Sequence, residues 1–131
     1  MKREIITICG STKFSDLMAV IAYEMTKAGK IVFCPSFLPS WYLRRTGLLE
    51  SHFAEQEGFG ELFSNIYNDK IALANKIFVC NQNGYIGKQT KKEIDYAISL
   101  NKPILYLEMQ ENEFNEMTRK ISGWWMSEGI G

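Results

Sequence analysis

A β-branched run, Glu4-Ile5-Ile6-Thr7-Ile8-Cys9, stops at Gly10 and gives way almost at once to a segment with helical periodicity. The run is short, apolar and bounded by glycine, which predicts a buried strand. Phe14, Leu17, Met18, Ile21 and Met25 then recur on one helix face between Phe14 and Ala28, opened by Ser15-Asp16 and closed by Gly29. Lys30 to Cys34 (KIVFC) reads as a second strand, ended by Pro35. Strand, helix and strand in so short a span imply a right-handed crossover and a parallel pair.

The alternation continues. Glu61 to Ala74 predicts a second helix, with Leu62, Ile66 and Leu73 on one face. Lys76 to Cys80 (KIFVC) predicts a third strand, Asn81 to Gln89 a glycine-containing turn, Thr90 to Leu100 a third helix, and Pro103 to Glu108 (PILYLE) a fourth strand. The expected fold is therefore α/β, a doubly wound parallel sheet of 4-5 strands forming one domain over residues 1–131. A chain of 131 residues suits one core rather than two.

Residues 35–60 are the least regular part, with Trp41-Tyr42, Arg44-Arg45, His52 and Glu55. A long insertion here predicts either a binding loop or a surface excursion packed on a neighbouring subunit. From Met109 the chain is acidic and then amphipathic, and it includes Gly123-Trp124-Trp125. Those tryptophans, with Trp41 and Tyr42, predict a homo-oligomer.

Fifteen basic residues balance fifteen acidic ones, so no net field recruits polymeric nucleic acid or an anionic membrane. No apolar run approaches the ~20 residues of a membrane span. Met1-Lys2-Arg3-Glu4 leads directly into a strand without a signal peptide, so a cytoplasmic location is expected. Cys9, Cys34 and Cys80 each end a strand, lack CxxC spacing, and read as reduced core thiols along one sheet edge. The single histidine, His52, lies in an unrelated segment, so no metal or other cofactor is expected.

Gly10-Ser11-Thr12-Lys13 is the first candidate site. A strand-to-helix turn offers backbone N–H groups to an anion. Gly10 permits close approach, Ser11 and Thr12 add hydroxyls, and Lys13 adds charge. An ordinary capped turn has the same appearance. Glu93 is the second candidate. Thr90-Lys91-Lys92-Glu93 fits a capping box, with Thr90 at the N-cap. The preceding turn, with Asn81, Gly84 and Gly87, instead suggests a backbone that a ligand approaches closely. Asp69 is the third. It shares the helix face of Leu62, Ile66 and Leu73, where a core-facing carboxylate would be costly unless paired.

In order and spacing, these residues resemble the nucleoside 2-deoxyribosyltransferase family, which includes the deoxynucleoside 5′-monophosphate N-glycosidases. The resemblance rests on Cys9-Gly10-Ser11, Asp69, Ala74-Asn75-Lys76-Ile77-Phe78-Val79, the glycine turn, Glu93, Tyr96-Ala97 and Asn101-Lys102-Pro103-Ile104. It spans the first strand to the fourth and is weakest across residues 35–60. It implies a flavodoxin-like domain that breaks the bond between base and deoxyribose. Glu93 would attack C1′, Asp69 would contact the base or assist proton transfer, and Gly10-Ser11 would line the sugar or phosphate. The chain departs from the family at Thr7 (usually tyrosine), Asn75 (usually aspartate), Gly87 (aspartate or serine) and Lys91-Lys92 (glycine or a small residue).

Two alternatives stay open. One is a non-catalytic nucleotide-binding or sensor module on the same fold. The other is a lysine-decarboxylase-like nucleotide phosphoribohydrolase, whose Thr-x-x-Glu is present at 90–93 but whose adjacent glycine pair is absent. In every reading the partner is a nucleoside or nucleotide small molecule.

Overall fold

A computed structural model of the chain describes residues 2–48 and 53–108. Four strands form one parallel sheet: β1 (Ile5–Gly10), β2 (Ile31–Phe33), β3 (Lys76–Cys80) and β4 (Ile104–Tyr106), in the order β2-β1-β3-β4. The helices are α1 (Ser15–Lys27), α2 (Ser40–Thr46), α3 (Phe53–Gln56), α4 (Gly60–Leu73) and α5 (Lys88–Ser99). This is the expected flavodoxin-like α/β domain. No described helix is long and apolar enough to cross a membrane.

Strand alternation sorts the side chains into two cores. Ile6 and Ile8 of β1, with Phe78 and Cys80 of β3, pack against Leu17, Met18, Ile21 and Met25 of α1. Cys9, Ile77 and Val79 point to the other face and meet Tyr67 and Ile71 of α4 and Ile94 and Ala97 of α5. At the amino end of the sheet Glu4 bridges Lys30 at 3.2 Å and Lys76 at 3.0 Å, tying together the starts of β1, β2 and β3. Asn75 belongs to the same end: its Oδ1 accepts from the Ile5 N–H at 2.7 Å. This departure from the family pattern thus lies away from the carboxyl ends of the strands. Thr7, another departure, is fully buried and donates its hydroxyl to the Lys70 carbonyl at 2.8 Å.

Two expectations about the helices need correction. Leu62, Ile66, Asp69 and Leu73 do share a face of α4, but it is not the face that packs on the sheet. Leu73 is 64% exposed, Leu62 and Ile66 are also exposed, and so is Asp69. The helix instead buries Tyr67 and Ile71, followed by Ala74, a stripe at helical spacing. Tyr67 can serve as core because its hydroxyl donates to the Ile8 carbonyl. Asp69 therefore carries none of the cost of a core-facing charge.

The third helix begins at Lys88, not at Thr90. Gly87 is its N-cap, with ψ of 172° and no side-chain cap, and the Lys91 N–H reaches the Gly87 carbonyl at 2.9 Å. Thr90 thus lies inside the helix and Glu93 well past the first turn, so no capping box forms. Residues 35–60 contain two short helices that periodicity did not reveal, α2 and α3. Trp41 and Tyr42 are exposed on α2 and meet edge to face at 5.7 Å. Trp124, Trp125 and His52 lie outside the described residues.

Candidate active site

β1 is the point where the winding reverses: α1 leads from it to β2 on one side, and α4 leads back to β3 on the other. Open α/β sheets bind ligands at such a point, beyond the carboxyl ends of the strands. A cleft of about 620 Å³ opens there, within the ~300–1,000 Å³ of small-molecule sites. Gly10 to Lys13 line it after β1, and Pro35 and Ser36 after β2. Ala54 and Glu55 come from α3, and Gly60, Phe63, Ser64, Ile66, Tyr67 and Lys70 from α4. Tyr85, Gly87 to Thr90 and Glu93 complete it.

The turn after β1 is built as its sequence suggests. Ser11 caps a short 3-10 turn, Thr12–Phe14, its Oγ accepting from the Lys13 N–H at 3.3 Å. The Ser11 hydroxyl keeps its own proton to donate. Gly10 lines the cleft and is also needed for packing. A Cβ there would lie 2.9 Å from Met18 Sδ and 3.2 Å from Cys80 Cβ, so its absence lets α1 and β3 close on the end of β1. Lys13 Nζ sits 3.6 Å over the Tyr85 ring, and Phe14 meets the same ring edge-on at 6.0 Å. That cation–π contact joins the turn after β1 to the loop after β3 across the cleft mouth.

Glu93 is only 8% exposed. Burial dominates and pushes the Glu93 carboxyl up to about 7, although the nearby Gln89 and Cys9 side chains favour its charged form. The Gln89 amide, one helical turn earlier, donates to Ser64 Oγ at 3.2 Å, linking α5 to α4 beneath the cleft. Burial holds the thiols protonated at neutral pH: Cys34 rises to about 11, Cys80 to about 12, and Cys9 well above its usual value. All three are free. Among the described residues, no group of three histidine, cysteine, aspartate or glutamate side chains is placed to hold a metal.

The cleft therefore gathers Gly10, Ser11, Thr12, Lys13, Gly87 and Glu93, but not Asp69, Asn81 or Gly84. Asn81 is buried and spent on the sheet end: its Nδ2 donates to the Glu108 carbonyl at 3.2 Å and its Oδ1 accepts the Glu108 N–H at 2.9 Å. Gly84 has φ of +75° and closes a 3-10 turn, so its glycine is needed for the turn. No protein-family model matches the chain, and no curated protein matches it. The chemistry of the site must be read from its own residues. Sequence reasoning passed over Tyr67, Lys70, Ser64 and Gln89, and read Cys9 only as core. Gln89 alone carried a legible signal, standing four residues before Glu93 on one helix face. Three lysines, Lys13, Lys70 and Lys88, line the cleft against Glu55 and Glu93, an excess of positive charge that suits an anionic ligand.

Proposed function

We propose that the chain cleaves or transfers at the N-glycosidic bond of a deoxynucleoside or deoxynucleotide, with Glu93 as the nucleophile. One observation carries this reading: a buried carboxylate lines a nucleotide-sized cleft at the winding reversal of the sheet. The resemblance to the nucleoside 2-deoxyribosyltransferase family points to the same residue.

In this mechanism the Glu93 carboxylate attacks C1′ and forms an ester while the bond from C1′ to the base nitrogen breaks. The bonding pair leaves with the base. Water or a second base then attacks C1′ and frees the carboxylate, as in retaining glycoside transfer. Phe63 and Tyr85 offer flat apolar walls for the base, and the turn at Ser11 and Thr12 offers donors to the sugar or a phosphate. Asp69 has no place in this scheme, because it is exposed and does not line the cleft. Lys70 lines the cleft and is the proton donor we assign to the departing base.

The absence of Asp69 from the cleft also favours a second reading, a non-catalytic nucleotide-binding module. Incubation with deoxynucleosides and their 5′-monophosphates, followed by chromatography, separates the two. The enzyme releases free base, whereas the module binds a nucleotide and returns it intact.

We further propose that the protein is a homo-oligomer that covers the outer face of α4, where Leu62 and Leu73 are exposed, together with Phe59 just before the helix. Light scattering should report a multiple of the 15.1 kDa chain mass. A monomer at micromolar concentration contradicts this.

A further inference from the structure

We propose that Thr90 binds the sugar of the substrate, its hydroxyl pairing with the 3′-hydroxyl on the face that Glu93 attacks. This assignment rests on the reading of Glu93 as nucleophile and names a sugar group that the same cleft takes.

A threonine in a helix ordinarily spends its hydroxyl on nearby backbone. Thr26 and Thr46 do so here, each donating to the carbonyl four residues earlier, at 2.7 Å to Ala22 and 3.0 Å to Tyr42. Thr90 has neither that use nor a capping one. α5 begins at Lys88 with Gly87 as its N-cap, so Thr90 stands within the first turn rather than at the cap. The residue four places back, Ile86, precedes the helix, and the extended Gly87 turns the chain after it. Among the described residues the Thr90 hydroxyl has no hydrogen-bond partner.

The residue is nevertheless only 4% exposed. Other buried polar side chains are spent inside the protein: Thr7 on the Lys70 carbonyl and Asn81 on Glu108, while Gln82 is engaged as well. A buried polar group left unpaired carries the full cost of its lost hydration, and native structures leave few of them.

Thr90 and Glu93 are three residues apart, so they share a face of α5, and both line the cleft. Lys13 and Lys88 line it as exposed side chains. Charge therefore stands at the mouth, and a neutral hydroxyl stands beside the carboxylate on the floor. That order suits a nucleotide with its phosphate outward and its sugar inward. In a β-nucleoside the base occupies one face of the sugar, and a nucleophile that displaces it arrives from the other. The 3′-hydroxyl lies on that other face, and in a deoxynucleotide it is the only hydroxyl there. A threonine hydroxyl both donates and accepts, which matches a second hydroxyl better than it matches an acceptor-only phosphate.

The test is calorimetric binding in the Glu93→Gln background, where ligand is not consumed. Deoxynucleoside 5′-monophosphates are compared with their 2′,3′-dideoxy counterparts and with ribonucleotides, in the Thr90 protein, Thr90→Val and Thr90→Ser. Loss of the 3′-hydroxyl should weaken binding to the Thr90 protein roughly tenfold. Thr90→Val should bind the deoxy and dideoxy forms alike, and Thr90→Ser should keep the preference. Valine should also leave the urea midpoint no lower than before, because no protein partner is lost; alanine repeats the binding test if valine disturbs folding. A preference retained in both Thr90→Val and Thr90→Ala, no preference in the Thr90 protein, or a valine effect confined to ribonucleotides overturns the proposal. Failure of every nucleotide to bind overturns it together with the N-glycosidic reading. Base release, measured with Glu93 intact, judges that reading separately. If nucleotides bind and no base is released, that reading fails and the binding ratios still decide the role of Thr90.

Discussion

Glu93→Gln should be the more stable protein at mildly alkaline pH, by on the order of 3 kcal/mol. The figure follows from a carboxyl whose folded value is about 7 against an ordinary 4.5. Between those two values the folded state keeps a proton that the unfolded chain has released. The wild type therefore loses stability as pH rises through this window, and above about 7 it carries the whole cost. Glutamine is neutral throughout and similar in shape. The two proteins should converge below pH 4.5, where the wild-type carboxyl is protonated in both states. Urea unfolding of both proteins across this range measures the difference. A domain of this kind is stable by only ~5–15 kcal/mol, so the effect is a large share of the total. Had Glu93 been a capping residue, the sign would reverse, with the variant losing roughly 1 kcal/mol. A Gln variant less stable than wild type at alkaline pH would show that the carboxylate is held at a profit to the fold, against this account.

How much of the molecule could be read in its sequence depended on what each residue answers to. β3 was legible from Lys76 to Cys80 because a short apolar run between polar neighbours leaves few alternatives. The crossover pattern indicated parallel strands but not their order, so the pairing of β1 with β3, which places the cleft, came from the structure. The face of α4 was not legible. Leu62, Ile66 and Leu73 are more apolar than Tyr67 and Ala74 of the stripe that packs, and only the Ile8 carbonyl, supplied by another element, makes Tyr67 a good core residue. The start of α5 was misplaced because Thr90 has cap chemistry and Gly87 has none, whereas the backbone turned at Gly87. α2 left a usable mark, since it ends at Gly47 with φ of 76°, but its few residues gave no periodicity. Asn81 looked like a ligand donor and is instead engaged with Glu108.

The turnover of Glu93→Gln, measured as free base released above neutral pH, tests the central claim most directly. Wild-type Glu93 is ionised there and can attack C1′. The amide fills the same space but is a very poor nucleophile, so the cradle survives and the attack does not. Loss of a nucleophile that acts together with its surroundings costs roughly a thousandfold or more in rate. The account predicts a loss of at least that size, with nucleotide affinity nearly unchanged. Turnover in Glu93→Gln comparable to wild type would contradict the assignment of Glu93 as nucleophile.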